Sequence, residues 1–192
     1  MSTPQEIRAA AWPDRLVSEL SSNDQTARAL LAGLTVEQLN WQPAAGSWSV
    51  GQCLEHLCKT NDAYLSAISA ALQGKPDKPT ENITPGWFGR WFIRSFVEAS
   101  PNGKRAKAPP KIRPTERVEL AVLDRFLASN EEWRGLILKE RGKDVNRIRF
   151  SNPFIPGIRF TVGTGIEIIA GHERRHLLQG KRVRDATSFP GN

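Results

Sequence analysis

Histidine is scarce in this chain: only His56, His172 and His176 occur among 192 residues. Cysteine is scarcer, with Cys53 and Cys58 alone. Five apart in one expected helix, at about 100° per residue, the two thiols point to different faces and do not bridge. That usage excludes a disulfide-stapled secreted scaffold and fits a reducing compartment. No apolar run approaches the roughly 20 residues that cross a bilayer. The opening MSTPQEIRAAAWPDRL has no apolar stretch of the kind a secretory signal carries, so a cytoplasmic location is expected. Several motifs are also missing. There is no phosphate-binding Walker loop, no nucleophile elbow and no zinc finger. The Gly163-Thr164-Gly165 triplet lacks the strand and further glycines of a dinucleotide fingerprint and reads as a helix start.

What is abundant is positive charge. Lys and Arg number 27 against 20 Asp and Glu, a net charge of +7. The basic residues gather as Lys104, Arg105, Lys107, Lys111 and Arg113, then Lys139, Arg141, Lys143, Arg147 and Arg149, then Lys181, Arg182 and Arg184. Such clusters draw in anionic small molecules or nucleic acid. No helix-turn-helix pair or RNP aromatic motif accompanies them, so solvated surface charge is the preferred reading and nucleic acid is not an expected partner. The hydrophobic content of 39% and charged content of 24% are those of an ordinary globular chain, long enough to bury a core as one domain over 1–192.

Hydrophobic periodicity predicts four long helices. The first spans about 13–32, with Leu16, Leu20, Ala27, Leu30 and Leu31 on its stripe. The second follows Ser49, where Ser49 and Gln52 form a capping box and Trp48 and Cys53 are placed as its hydrophobic staple, and it stops at Gly74. The third is expected to open at Thr115 after Pro114 and to close near Arg141-Gly142. The fourth is expected to begin at Thr164, boxed with Glu167, and to run to about Gly180. Residues 75–114 form a long, basic connection with seven prolines and one aromatic segment, GWFGRWFIRSFV, which is expected to pack over the bundle or against a homodimer partner rather than trail in solvent. Residues 145–160 read as an irregular excursion, and no strand alternation is evident. The fold class expected is all-α, an antiparallel four-helix bundle with long crossover connections.

The stretch GHERRHLLQG, residues 171–180, contains H-E-x-x-H, the signature of zinc peptidases. Four apart on a helix, His172 and His176 share a face, Gln179 falls within about 20° of the same line, and Glu173 is rotated about 100° away. A zinc peptidase needs a third ligand downstream, but no His or Glu follows His176, so a peptidase is not expected. The remaining histidine, His56, lies inside the second helix, and bundles build metal sites where facing helices converge. Three neutral imidazoles suffice for a divalent transition metal and leave positions open for water or substrate. Zinc or nickel heads the candidates, with iron, copper or manganese behind. Three further residues are candidate supports or substrate contacts: Gln179; Glu173, as an acceptor for a histidine N–H or as a solvated carboxylate; and Cys53, three residues before His56.

The run NWQPAAGSWSVGQCLEHL with the later HERRHLLQ resembles the DinB-like superfamily, through a W-S-x-G-x-x-L-x-H-L element and an H-E-x-R-H-x-x-Q element. The resemblance implies a four-helix bundle holding a metal by one histidine of the second helix and a pair from the fourth. Those positions are His56, His172 and His176. It further implies a metal-dependent S-transferase using a low-molecular-weight thiol, or a small-molecule hydrolase. The rival class is a non-catalytic metal-binding bundle or a stress-related interaction protein.

Overall fold

The structure, a computed structural model, describes residues 11–98 and 108–191. Lys104, Arg105 and Lys107 of the first basic cluster, and the residues before Ala11, lie outside the described residues. Four long helices form the body: α1 (Trp12–Leu31), α3 (Val50–Leu72), α5 (Val122–Lys139) and α6 (Val162–Arg184). Shorter pieces are α2 (Val36–Asn40) and α4 (Trp87–Phe92), the latter continued by a π-turn over Ile93–Val97. A two-stranded sheet of β1 (Arg149–Ser151) and β2 (Arg159–Thr161) completes the chain. No helix among the described residues is long and apolar enough to cross a membrane.

The protein is a four-helix bundle in which α1 and α3 each pack against both α5 and α6, so α1 stands diagonal to α3 and α5 diagonal to α6. Cross-contacts give the directions. On α3, His56 meets His172 while Ile68 lies beside Gly165, so α3 and α6 run antiparallel. On α1, Arg15 pairs with Glu167 while Leu30 touches Gly180, so α1 runs with α6. Long crossovers allow this mixed arrangement, which short loops would forbid. The core has two lobes. One gathers Trp12, Tyr64, Trp133, Phe150 and Phe160, and the other Leu30, Leu54, Phe126 and Phe189.

Local chemistry explains several boundaries. Ser49 caps α3 through the expected box with Gln52. The helix expected from Thr115 instead starts at Val122, because residues 112–118 are held by side chains of other elements. The Thr115 backbone N–H and hydroxyl both donate to Glu55 Oε2, at 2.6 and 2.9 Å. Asn40 brackets Val118, accepting from its N–H at 2.7 Å and donating to its carbonyl at 2.8 Å. A chain tied down at two such points cannot wind. The cap of the fourth helix lies three residues earlier than expected. Thr161, not Thr164, is its cap, accepting from the Thr164 N–H at 3.2 Å, while Glu167 turns to Arg15 on α1.

The excursion at 145–160 contains a real hairpin, with Phe150 paired to Phe160 and Arg149 to Thr161. Strands of three residues are too short to show alternation, yet each buries only its central phenylalanine. Phe150 reaches α6 because Gly165 is bare there: a Cβ would lie 2.6 Å from the Phe150 ring. The aromatic segment of the long connection divides its side chains. Phe88 and Phe92 pack on Phe160, with ring centroids 5.7 and 5.0 Å apart. Trp87, Trp91 and Phe96 remain on the surface. Val97 then drops onto α6 at Gly171, where a Cβ would approach it to 2.8 Å. The segment therefore covers α6 one residue before His172.

Candidate metal centre

The three histidines converge. One ring nitrogen from each of His56, His172 and His176 lies within 4.8 Å of the others, and His56 Nε2 is 3.2 Å from His172 Nε2. Nitrogens of one tetrahedral shell at 2.0–2.1 Å from a metal stand about 3.3 Å apart, the spacing that the His56–His172 pair already has.

Hydrogen bonding sets the tautomers of two rings. The Ile112 carbonyl faces His56 Nδ1 at 2.8 Å, and Gln179 Oε1 faces His176 Nδ1 at 3.0 Å. A carbonyl oxygen only accepts, so both Nδ1 atoms carry the proton and both Nε2 atoms present lone pairs. Such supporting acceptors orient metal-binding imidazoles and raise their basicity. His172 is different: its Nδ1 is buried with no hydrogen-bond partner. Burial holds all three rings neutral. It pushes His176 down to about 3, lowers His172 well below the usual histidine range with help from His176 and His56, and lowers His56 against the opposing pull of Ile112. Converging lone pairs, an orphaned ring nitrogen and enforced neutrality form a donor set that fits a divalent transition metal.

The surroundings are built by α3. Gln52, Glu55, His56 and Lys59 occupy positions i, i+3, i+4 and i+7, one stripe of the helix. They grip residues 112–115 of the incoming loop. Gln52 donates to the Thr115 carbonyl at 3.0 Å and Lys59 to the Arg113 carbonyl at 2.8 Å. This grip places the Ile112 carbonyl on His56. Trp48 forms a further wall, its ring centroid 4.7 Å from His56 and 5.5 Å from His176. Expected as a helix staple, it is a neighbour of the imidazoles. Beside His172 opens a cavity of about 140 Å³, lined among others by Tyr64, Phe92, Phe154, Ile168 and Asn152.

The three supporting candidates separate. Gln179 touches the site through His176. Cys53 does not join the cluster: it is fully buried, and burial pushes its thiol up to about 12. Glu173 is neither solvated nor an acceptor for a histidine. Its carboxylate sits at the bundle centre, accepting from Asn61 at 2.7 Å, Asn23 at 2.9 Å and Asn130 at 3.2 Å. The four residues come from α3, α1, α5 and α6, one from each long helix. Burial raises the Glu173 carboxyl to about 7, against the three amide hydrogen bonds that favour its charge. Sequence reasoning missed the asparagines. Their only signal was a polar residue at an inward position of an otherwise apolar stripe.

The sequence profile of the DinB superfamily matches residues 19–179, a span running from α1 through the helix that carries His172 and His176. The chain belongs to the DinB superfamily. Among its relatives is YuaE, an uncharacterized protein of Bacillus subtilis (strain 168). It is 26% identical over 157 residues, covering 81% of this chain and 88% of YuaE. Among solved structures the DinB-like bundle is similar to YfiT from Bacillus subtilis, with a TM-score of 0.59, 15% identity, and coverage of 95% of this chain and 91% of that one. YfiT is described as a probable metal-dependent hydrolase with an unusual four-helix bundle topology. At that identity the likeness concerns the fold.

Proposed function

We propose that this DinB-superfamily chain binds one divalent transition metal through His56, His172 and His176 and uses it to hydrolyse a small molecule. The observation that carries the reading is the convergence of three neutral imidazoles beside a cavity, with no acidic or thiol group completing the cluster among the described residues. A structural zinc site is closed by four protein ligands, whereas a catalytic one keeps a position open. A metal held here would supply Lewis acidity, the chemistry that makes a nucleophile of water or a thiol near neutral pH. The chain's own residues do the rest. Ile112 and Gln179 hold the rings in the binding tautomer, Trp48 walls the histidines, and the largely apolar cavity beside His172 offers room for a small molecule. The description of YfiT supports the hydrolase reading by analogy of fold.

A thiol S-transferase is the second reading. Burial pushes both Cys53 and Cys58 up to about 12, so the thiolate would have to come from outside. A peptidase is not proposed despite H-E-x-x-H, since the Glu173 carboxylate is engaged by three asparagines and is not free to activate water at the cluster. Elemental analysis of untagged protein is expected to return one metal per chain. Loaded protein is then assayed on an ester and amide panel, and on monochlorobimane with bacillithiol, mycothiol or glutathione, with His176→Ala as control. Turnover unchanged in His176→Ala would overturn the metal mechanism. Loading without turnover on either panel would favour a non-catalytic bundle.

A further inference from the structure

The cavity beside His172 contains a second polar feature that the metal reading does not use. Asn152 is anchored in one orientation, because its Oδ1 accepts from the Phe154 and Ile155 backbone N–H groups at 2.8 and 2.9 Å. Flipping the amide would set its NH2 against two donors, so the NH2 must point the other way. It donates to the Tyr64 hydroxyl at 2.9 Å. The Tyr64 oxygen is therefore an acceptor in that bond, and its own proton is left over. Among the described residues nothing accepts that proton, and Tyr64 is only 3% exposed, so bulk water does not reach it freely. Both Tyr64 and Asn152 line the cavity. Thr60, which lines it too, has already donated its hydroxyl proton to the His56 carbonyl at 2.8 Å.

A buried donor without an acceptor is costly, and such groups in folded proteins mark a place for a bound molecule. Apart from His172, the rest of the lining is apolar, with Phe92, Phe96, Val97, Phe154, Ile155 and Ile168 among it. An apolar cavity of roughly 150 Å³, close to this size, admits a single benzene ring. We propose that Tyr64, oriented by Asn152, binds the carbonyl-type oxygen of a compact apolar ligand whose ring or short alkyl body fills this cavity beside His172. The proposal names the substrate class for the reaction above and rests on that reading for its chemical consequence, but not for binding. Tyr64 is a specificity residue: it fixes which end of the ligand carries the oxygen.

The test uses the full chain, stripped of metal by chelation, and two ligands of matched shape, acetophenone and isopropylbenzene, with binding followed by ligand-detected NMR. Tyr64→Phe keeps the ring and removes the proton. Asn152→Asp keeps the tyrosine but offers it a carboxylate, which takes the proton away from the ligand. In both variants acetophenone is expected to bind about three- to tenfold more weakly, while isopropylbenzene changes by less than about twofold. An equal loss for both ligands, no loss for acetophenone, or no binding of either to the unmodified protein would overturn the proposal. His176→Ala separates the two ideas. It is expected to lose metal and keep the acetophenone response, so a failed metal site and a failed ligand site give different results.

Discussion

His172 and Glu173 are consecutive residues of α6, yet their surroundings are opposite. The carboxylate of Glu173 is wholly buried and receives amide hydrogen bonds from three other helices. The imidazole of His172 keeps a buried Nδ1 with no partner and stands 3.2 Å from another ring nitrogen. The first is a carboxylate held by three amides, a polar network of the kind that fixes how helices sit against one another, with Asn61 Oδ1 left without a partner. The second is a set of ring nitrogens turned toward one another. Three neutral imidazoles with nitrogens within 4.8 Å of one another make a donor set suited to a transition metal, which the amide-bound carboxylate does not. A five-residue motif thus splits its labour across a 100° turn of helix: the histidines face the ligand and the glutamate faces the scaffold.

The difference can be broken from either side. The largest effect is expected from His176→Ala, which should abolish stoichiometric metal binding by elemental analysis while leaving the metal-free protein as stable as the parent in urea. Glu173→Ala should do the reverse. It strands three amides at the bundle centre and should lower metal-free stability by about 3 kcal/mol, read as a shift of the urea midpoint. Partial metal retention in the folded fraction would sharpen the division, and loss of metal without loss of stability would erase it. Gln179→Ala removes only the acceptor behind His176 and should weaken metal affinity about tenfold in a chelator competition, with little change in the urea midpoint. The smallest effect concerns the cysteines. A thiol whose pKa is raised by burial stays neutral until pH exceeds the folded value, so Cys53 and Cys58, both pushed up to about 12, should resist iodoacetamide at pH 8.5 in the native protein and react fully in urea. Rapid native alkylation of Cys53 would return it to the list of site residues.

Much of the site's outline was legible from residues alone, because helical periodicity places positions i and i+4 on one face whatever the tertiary context. His172, His176 and Gln179 follow from that rule, and the Ser49–Gln52 box is equally local. The failures share a cause. The start expected at Thr115 failed because Glu55 and Asn40, about 60 and 78 residues away in sequence, hold that segment extended. The cap expected at Thr164 failed because Glu167 found Arg15. The hairpin escaped notice because three-residue strands carry too little pattern, and it stands only by burying Phe150 and Phe160 against the bundle.

The sequence by itself determined that this chain makes four long helices, that it has three histidines to spend, and that two of them lie on one helical face. Those facts depend on spacing, and spacing is a property of the backbone. Only the tertiary structure decided that His56 would reach the other two, that the Ile112 carbonyl would set its tautomer, and that Glu173 would turn to Asn23, Asn61 and Asn130 rather than to the cluster. It also decided that an anchored Asn152 would leave the Tyr64 proton unclaimed beside the cavity. Each of these joins residues far apart in the chain, and the relative rotation of packed helices, which no local pattern encodes, determines which atoms meet.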